Sequence, residues 1–336
     1  FVGLTVSLAF AYLLSTTQMP LQRPGHTRLL AVGLGVSTGL ARVVNTWDLP
    51  SVVIISVAAI AFGQVLRPIT SLDGDDRRRN AVLVLGACGL GAGIAHFGGP
   101  GSALLLALGA MGLLSLLTLA GRPSLRRRAL SMLGDLALVA GTHLAVFWPF
   151  IANNEAFETG LQSAVDESPL DDFLIHWGIF LGIAVTLAIA LLIDARRRQQ
   201  TDEPTPMPLP PALWASRAVR ATAVGIGLLA VLTAGRLGTG ALAIAVAGVL
   251  VFGTFLVIEL RRTTPDIGRL LAVGLLTLAF AISGGVDVVT VENDIERMNT
   301  VFKFWLQAWQ YFAFAAAFAV WQVGRIIAER RLRVDR

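Results

Sequence analysis

The chain has 336 residues, of which 55% are hydrophobic and 15% charged, with a formal net charge of +5 and a mean hydropathy of +0.70. A soluble domain is about 25% charged, so this apolar excess excludes an ordinary soluble fold. The arginines lie between hydrophobic blocks, which excludes a nucleic-acid partner as the reason for the basic balance, and a single cysteine, Cys88, excludes both a disulfide framework and a thiolate metal cluster.

In chain order the apolar blocks fall at about 1–15, 29–44, 51–66, 81–96, 103–120, 129–147, 174–193, 219–235, 241–260, 268–284 and 305–324. Each has roughly the length needed to cross a bilayer as a helix. The bilayer interior supplies no water to unpaired backbone groups, so the blocks must be helical there. The expected fold is therefore all-α, a polytopic transmembrane helix bundle of about 11 spans, multi-pass in the cell membrane. The chain starts within an apolar run at Phe1 rather than at a signal peptide. It reads as the C-terminal fragment of a longer protein whose upstream transmembrane segments would be its partners.

The connecting segments alternate in charge. Those at 16–28, 67–80, 121–128, 194–220, 261–269 and 325–336 hold 23 of the 27 Lys+Arg, while the other set holds only Arg236, Arg297 and Lys303. This asymmetry predicts an outer N-terminus and a cytoplasmic C-terminus. It predicts a single transmembrane domain over 1–336, with an acidic outer loop at 148–173 and a Pro-rich cytoplasmic linker at 194–218. Glycines such as Gly89 and Gly93, four residues apart, suit close helix packing in lipid.

Polar residues inside such blocks are costly and are candidates for function. The first set is Arg42-Val-Val-Asn-Thr-Trp-Asp-Leu-Pro50. Thr38, Arg42 and Asn45 share a helical face, and Asp48 follows in a tight outer turn. Asp48 suits an N-cap of the next helix, or alternatively an acceptor of a substrate hydroxyl proton or a cation ligand. Trp47 suits an interfacial belt. Asp135, in the cytoplasmic half of the sixth span, suits structural pairing with a buried donor better than a proton path. His143 reads as an interfacial hydrogen-bonding residue.

The richest set starts the last span. If a helix begins near Glu296, then Glu296, Asn299, Thr300, Lys303, Gln307 and Gln310 fall within an arc of roughly 100°. Met298, Phe302, Trp305, Trp309 and Phe312 cover the opposite side. Such a polar stripe requires a hydrated cavity or another polar surface. Lys303 is the only lysine. With Arg297 it forms a basic pair suited to a phosphate or pyrophosphate headgroup; the plainer alternative is that Lys303 snorkels or pairs with Glu296 or Asp294. No P-loop, dinucleotide fingerprint or serine nucleophile elbow occurs, and no His/Cys/Asp set has metal-site spacing.

Two stretches, Asn45-Thr-Trp-Asp-Leu-Pro50 and Glu296-Arg-Met-Asn-Thr-Val-Phe-Lys-Phe-Trp-Leu-Gln-Ala-Trp309, resemble signature blocks of the "YYY" membrane proteins of Chloroflexi and archaea. Phe147-Trp-Pro-Phe150 and Pro169-Leu-Asp-Asp-Phe-Leu-Ile-His-Trp177 also look familial. That resemblance implies a GT-C-like fold and a multi-pass enzyme that uses a polyprenyl-phosphate sugar donor at the outer face of the lipid bilayer. By position it implies Asp48 as the acidic catalytic residue and Arg297 and Lys303 as phosphate ligands, with Glu296, Asn299, Arg42 and Asn45 lining the same cavity. Members of this family carry further spans and an acidic outer segment upstream, which would hold part of the site. The cofactor is left open, the acidic outer loops being as compatible with Mg²⁺ or Mn²⁺ as with a solvated surface. A transporter or flippase for a lipid-linked or anionic solute, with Asp135 as coupling residue, and a non-catalytic scaffold docking through 148–173 are the alternatives.

Overall fold

The computed structural model describes residues 1–17, 24–66, 123–153, 161–164, 166–200, 240–260, 262, 264–292 and 297–334. The expected spans at 81–96, 103–120 and 219–235, the Gly89/Gly93 pair, most of the 194–218 linker and Glu296 lie outside them. The other eight expected spans all fall on helices. Six of these are long and apolar enough to cross a membrane: Gly25–Val44, Thr46–Leu66, Ser131–Asn153, Leu170–Ala195, Gly240–Leu260 and Ile267–Gly285. Among the described residues the architecture is all-helical apart from one short two-stranded ribbon. The chain divides into two compact units, Phe1–Glu158 and Thr159–Arg336.

The first unit contains α1 (Val2–Thr17), α2 (Pro24–Val44), a 3-10 turn (Thr46–Asp48), α3 (Leu49–Leu66) and α4 (Pro123–Asn153). Its core joins Tyr12 of α1, Ala31 and Leu34 of α2, Val53, Val57 and Ile60 of α3, and Met132 of α4. Lipid tails are as apolar as these side chains, so helix association there depends on close fit rather than on exclusion of water. The fit is tightest where α2 meets α4. A Cβ on Gly35 would lie 2.7 Å from both Thr142 Cβ and the Val139 carbonyl, and one on Gly39 would run into the Phe147 ring. Gly35 and Gly39 thus make the small-residue contact at four-residue spacing. The last span of this unit is longer than its apolar block: α4 runs through Trp148-Pro149-Phe150 to Asn153.

The second unit contains the strand β1 (Leu161–Ser163), α5 (Leu170–Gln200), α6 (Gly240–Leu260), α7 (Ile267–Gly285), the strand β2 (Val289–Val291) and α8 (Met298–Val334). β1 and β2 pair antiparallel, with Leu161 opposite Val291 and Ser163 opposite Val289. The acidic loop expected over 148–173 is therefore helical at both ends and carries a strand. Three residues are too few to show an alternation in sequence. Phe252 and Phe280 stack at 5.8 Å between α6 and α7, and Gly248 lies under the Phe280 ring. On the other side of the unit Trp177 is fully buried among Phe173, Phe180, Trp305 and Phe312, joining α5 to α8.

Candidate functional site

In the first unit the candidates cluster where α2 ends. Asn45 adopts extended backbone angles, φ −150° and ψ 90°, which stops the helix. Its carbonyl accepts the Asp48 N–H at 2.9 Å, closing the 3-10 turn. Asp48 immediately precedes α3, and its carbonyl accepts the Ser51 hydroxyl at 3.0 Å. Arg42 occupies the last turn of α2, a position favourable for a cation beside the negative end of the helix dipole. Arg42, Asn45, Trp47 and Asp48 are all half-buried. Behind them Thr38 donates to the Gly35 carbonyl at 2.9 Å and lies 3.3 Å from His143 Nδ1. Thr38 thus ties the backbone of α2 to His143 of α4. The turn thus brings Arg42, Asn45 and Asp48 into one segment, with His143 one layer beneath.

Toward the other end of this unit Asp135 is 6% exposed. Its Oδ2 accepts the Tyr12 hydroxyl at 2.6 Å and the Gln64 amide at 3.0 Å. Arg128 donates to the carbonyls of Gln64 and Val65 at 3.0 and 2.6 Å and so caps the C-terminus of α3. The pairing expected for Asp135 is thus supplied by Tyr12 of α1 and Gln64 of α3, residues more than 70 positions upstream in sequence.

In the second unit Arg297 lies between the end of α7 and the lead-in to α5, and Asn299 and Lys303 follow in the first turns of α8. Arg297 is a non-glycine residue with φ +63°. This left-handed conformation is costly for an L side chain, and it persists only where surrounding contacts hold it. The contacts are clear. Arg297 Nη2 donates to Asp287 Oδ1 at 2.7 Å and to Ser168 Oγ at 2.9 Å, and Nη1 donates to the Asp166 carbonyl. The backbone N–H and hydroxyl of Ser168 also donate to Asp287 Oδ1, at 3.1 and 2.7 Å. The Asp287 side chain is wholly buried and that of Arg297 is 11% exposed. This ion pair joins the end of α7, the lead-in to α5 and the start of α8. Sequence reasoning missed Asp287. The available signal was a lone acid inside the apolar run Val286-Asp-Val-Val-Thr-Val291.

α8 begins at Met298, immediately after this clamp. Thr300 and Gln307 are buried, Asn299, Lys303 and Gln310 half-buried, and Met298, Phe302, Leu306 and Trp309 exposed. The polar stripe therefore faces inward or flanks the exposed apolar arc. The opposite side differs in environment along its arc: Phe302 and Trp309 are exposed, whereas Phe312 is buried and Trp305 packs against α5. Trp305 and Phe312 turn inward because α5 offers Phe173, His176, Trp177 and Phe180 as ring partners at 5.0–6.0 Å. Thr300 Oγ accepts the Val291 N–H at 3.3 Å, tying α8 to β2. Among the described residues no three His, Cys, Asp or Glu side chains converge as a metal site.

A family model described as "Uncharacterized membrane protein (DUF2298)" matches residues 1–312, nearly the whole chain, and the chain belongs to that family. No curated protein matches the chain, and no solved structure does.

Proposed function

We propose that this member of the uncharacterized DUF2298 membrane protein family is a GT-C-like glycosyltransferase module, which transfers a sugar from a polyprenyl-phosphate-linked donor at the outer face of the membrane. The observation that carries the reading is the flank of α8. Asn299, Lys303 and Gln310 remain half-buried beside buried Thr300 and Gln307, on a helix whose neighbouring arc is apolar and exposed. Polar groups are retained at such depth where a polar ligand or cavity uses them. Their height, just below the Arg297 clamp, suits a lipid-linked phosphate whose tail runs in the bilayer.

In this reading the acceptor hydroxyl oxygen attacks the anomeric carbon, the bond from that carbon to the phosphate oxygen breaks, and the polyprenyl phosphate departs with the negative charge. Lys303 stabilises that charge. Asp48 takes the hydroxyl proton as general base, with Arg42 and Asn45 beside it in the same turn. Arg297, already held by Asp287 and Ser168, fixes the start of α8 on which Lys303 stands. The donor is membrane-embedded, which fits a chain built of apolar helices.

The test uses the full-length protein with polyprenyl-phosphate sugars and follows release of polyprenyl phosphate. Lys303→Ala and Asp48→Asn should each lower turnover by about 100-fold or more while leaving thermal unfolding in detergent unchanged. Full activity in both variants would overturn the site. No turnover with any donor, together with vectorial movement of a lipid-linked solute in proteoliposomes, would replace the enzyme by a transporter.

A further inference from the structure

One end of the second unit carries charge that neither the clamp nor the α8 flank uses. α5 and α8 run in the same direction, because their contacts advance together from Phe173–Trp305 through Trp177–Phe312 to a crevice shared by Ile183, Ala184, Ala315 and Ala319. Both helices therefore end on the same side, opposite the β1–β2 ribbon.

On that side an ion-pair layer joins three helix ends. Arg269 Nη1 lies 2.8 Å from Asp194 Oδ2 on α5 and 3.8 Å from Glu259 Oε2 on α6. Arg262 Nη1 lies 3.1 Å from Glu259 Oε2. The Asp266 carboxylate accepts the Arg269 N–H at 3.0 Å and caps α7. Arg262 and Arg269 are thus matched by carboxylates.

Beyond this layer α5 and α8 both continue. α5 runs to Gln200, six residues past Asp194 or about 9 Å, through Arg196, Arg197 and Arg198. On α8, Trp321 is 55% exposed and Arg325 lies over its ring at 5.0 Å, a pairing typical of the level where a helix leaves the bilayer. α8 then runs on to Val334, about 13 Å further, through Arg330, Arg331 and Arg333. The two extensions hold six arginines against one acid, Glu329. At 37 residues, α8 is about 55 Å long, well beyond the roughly 30 Å hydrocarbon core.

We infer that the paired C-terminal extensions of α5 and α8 form a basic platform that binds the phosphate groups of anionic phospholipids in the leaflet on that side. Arginine suits this role because its planar fork bonds two phosphate oxygens at once. Two parallel helices that leave the membrane together concentrate this charge within a Debye length of the surface.

The test purifies the full-length protein in neutral detergent, incubates it with phosphatidylglycerol or phosphatidylcholine, and counts retained lipids by native mass spectrometry. The wild type should retain phosphatidylglycerol selectively, and the preference should vanish near 1 M salt, where the Debye length falls to about 3 Å. Gln at 330, 331 and 333 should lower affinity about fivefold per arginine, as should Gln at 196–198, while Lys at the same positions keeps most of the binding. The wild-type salt series stands by itself should a Gln variant misfold. Equal retention of the two lipids, or Gln variants that match the wild type, would overturn the platform. Displacement of the lipid by millimolar inorganic phosphate would overturn the lipid assignment in favour of a soluble phosphate site. None of these outcomes depends on glycosyl transfer.

Discussion

The Asp287–Arg297 pair illustrates how a single residue acquires a role that its type does not announce. Arg297 is one of only three basic residues outside the arginine-rich loops and Arg42, which marks it for ligand binding on charge alone. The structure commits it to a buried carboxylate, a serine and a backbone carbonyl. Removing one member of a buried pair strands the other charge, at a cost of about 3–5 kcal/mol. Asp287→Ala and Arg297→Ala should each destabilise the protein by about that amount in thermal unfolding, and the double variant should cost clearly less than the sum. Additive losses would mean the pair is not coupled. Asp135 permits a related test. Asp135→Leu leaves Tyr12 and Gln64 without their shared acceptor and should cost about 1–3 kcal/mol, whereas Asp135→Asn keeps an acceptor oxygen and should cost less. A stability loss as large in Asn as in Leu would show that charge, not hydrogen bonding, is what the site requires.

At the scale of elements, the hydropathy blocks locate helices well because an apolar run of spanning length is a local property. Their ends are less legible. α4 and α5 extend well past their blocks, since amphipathic turns at the interface stay helical with few apolar residues. The ribbon β1–β2 escaped altogether, because its two strands are 126 residues apart at the nearest register pair and each is only three residues long. Helix contacts were partly legible: the four-residue glycine spacing was recognised as a packing device, but on a pair outside the described residues, and only the structure picks out Gly35 and Gly39. Gly35→Leu and Gly248→Leu should each destabilise the protein by about 1–3 kcal/mol, measured by thermal unfolding in detergent, because side-chain atoms would meet α4 and the Phe280 ring. Gly141→Leu, where an added Cβ meets nothing within 4 Å, should be close to neutral. Equal effects at all three positions would argue against close approach as the reason for glycine at the first two.

At the scale of the whole molecule, charge asymmetry predicts which ends face which side. A Cys88→Ser background with a single cysteine at Ser163 should react with a membrane-impermeant maleimide from outside intact cells. A single cysteine at Met207 should react only after the membrane is opened. The reverse pattern would invert the molecule and place the proposed site on the cytoplasmic side. Membership of the DUF2298 family accounts for the chain as a multi-pass membrane protein.

The sequence by itself determined that the chain is a membrane protein, that it is helical, and where most of its helices lie. Those follow from the solvent: a bilayer rewards apolar runs of one length and penalises isolated charge, and both are written in windows of about twenty residues. The tertiary structure decided which polar residues meet. Asp135 with Tyr12, Asp287 with Arg297 and Ser168, and Trp305 with the aromatic face of α5 are pairings between residues 10 to 132 positions apart. A buried polar group must find a partner, but its sequence neighbourhood does not say which helix brings one.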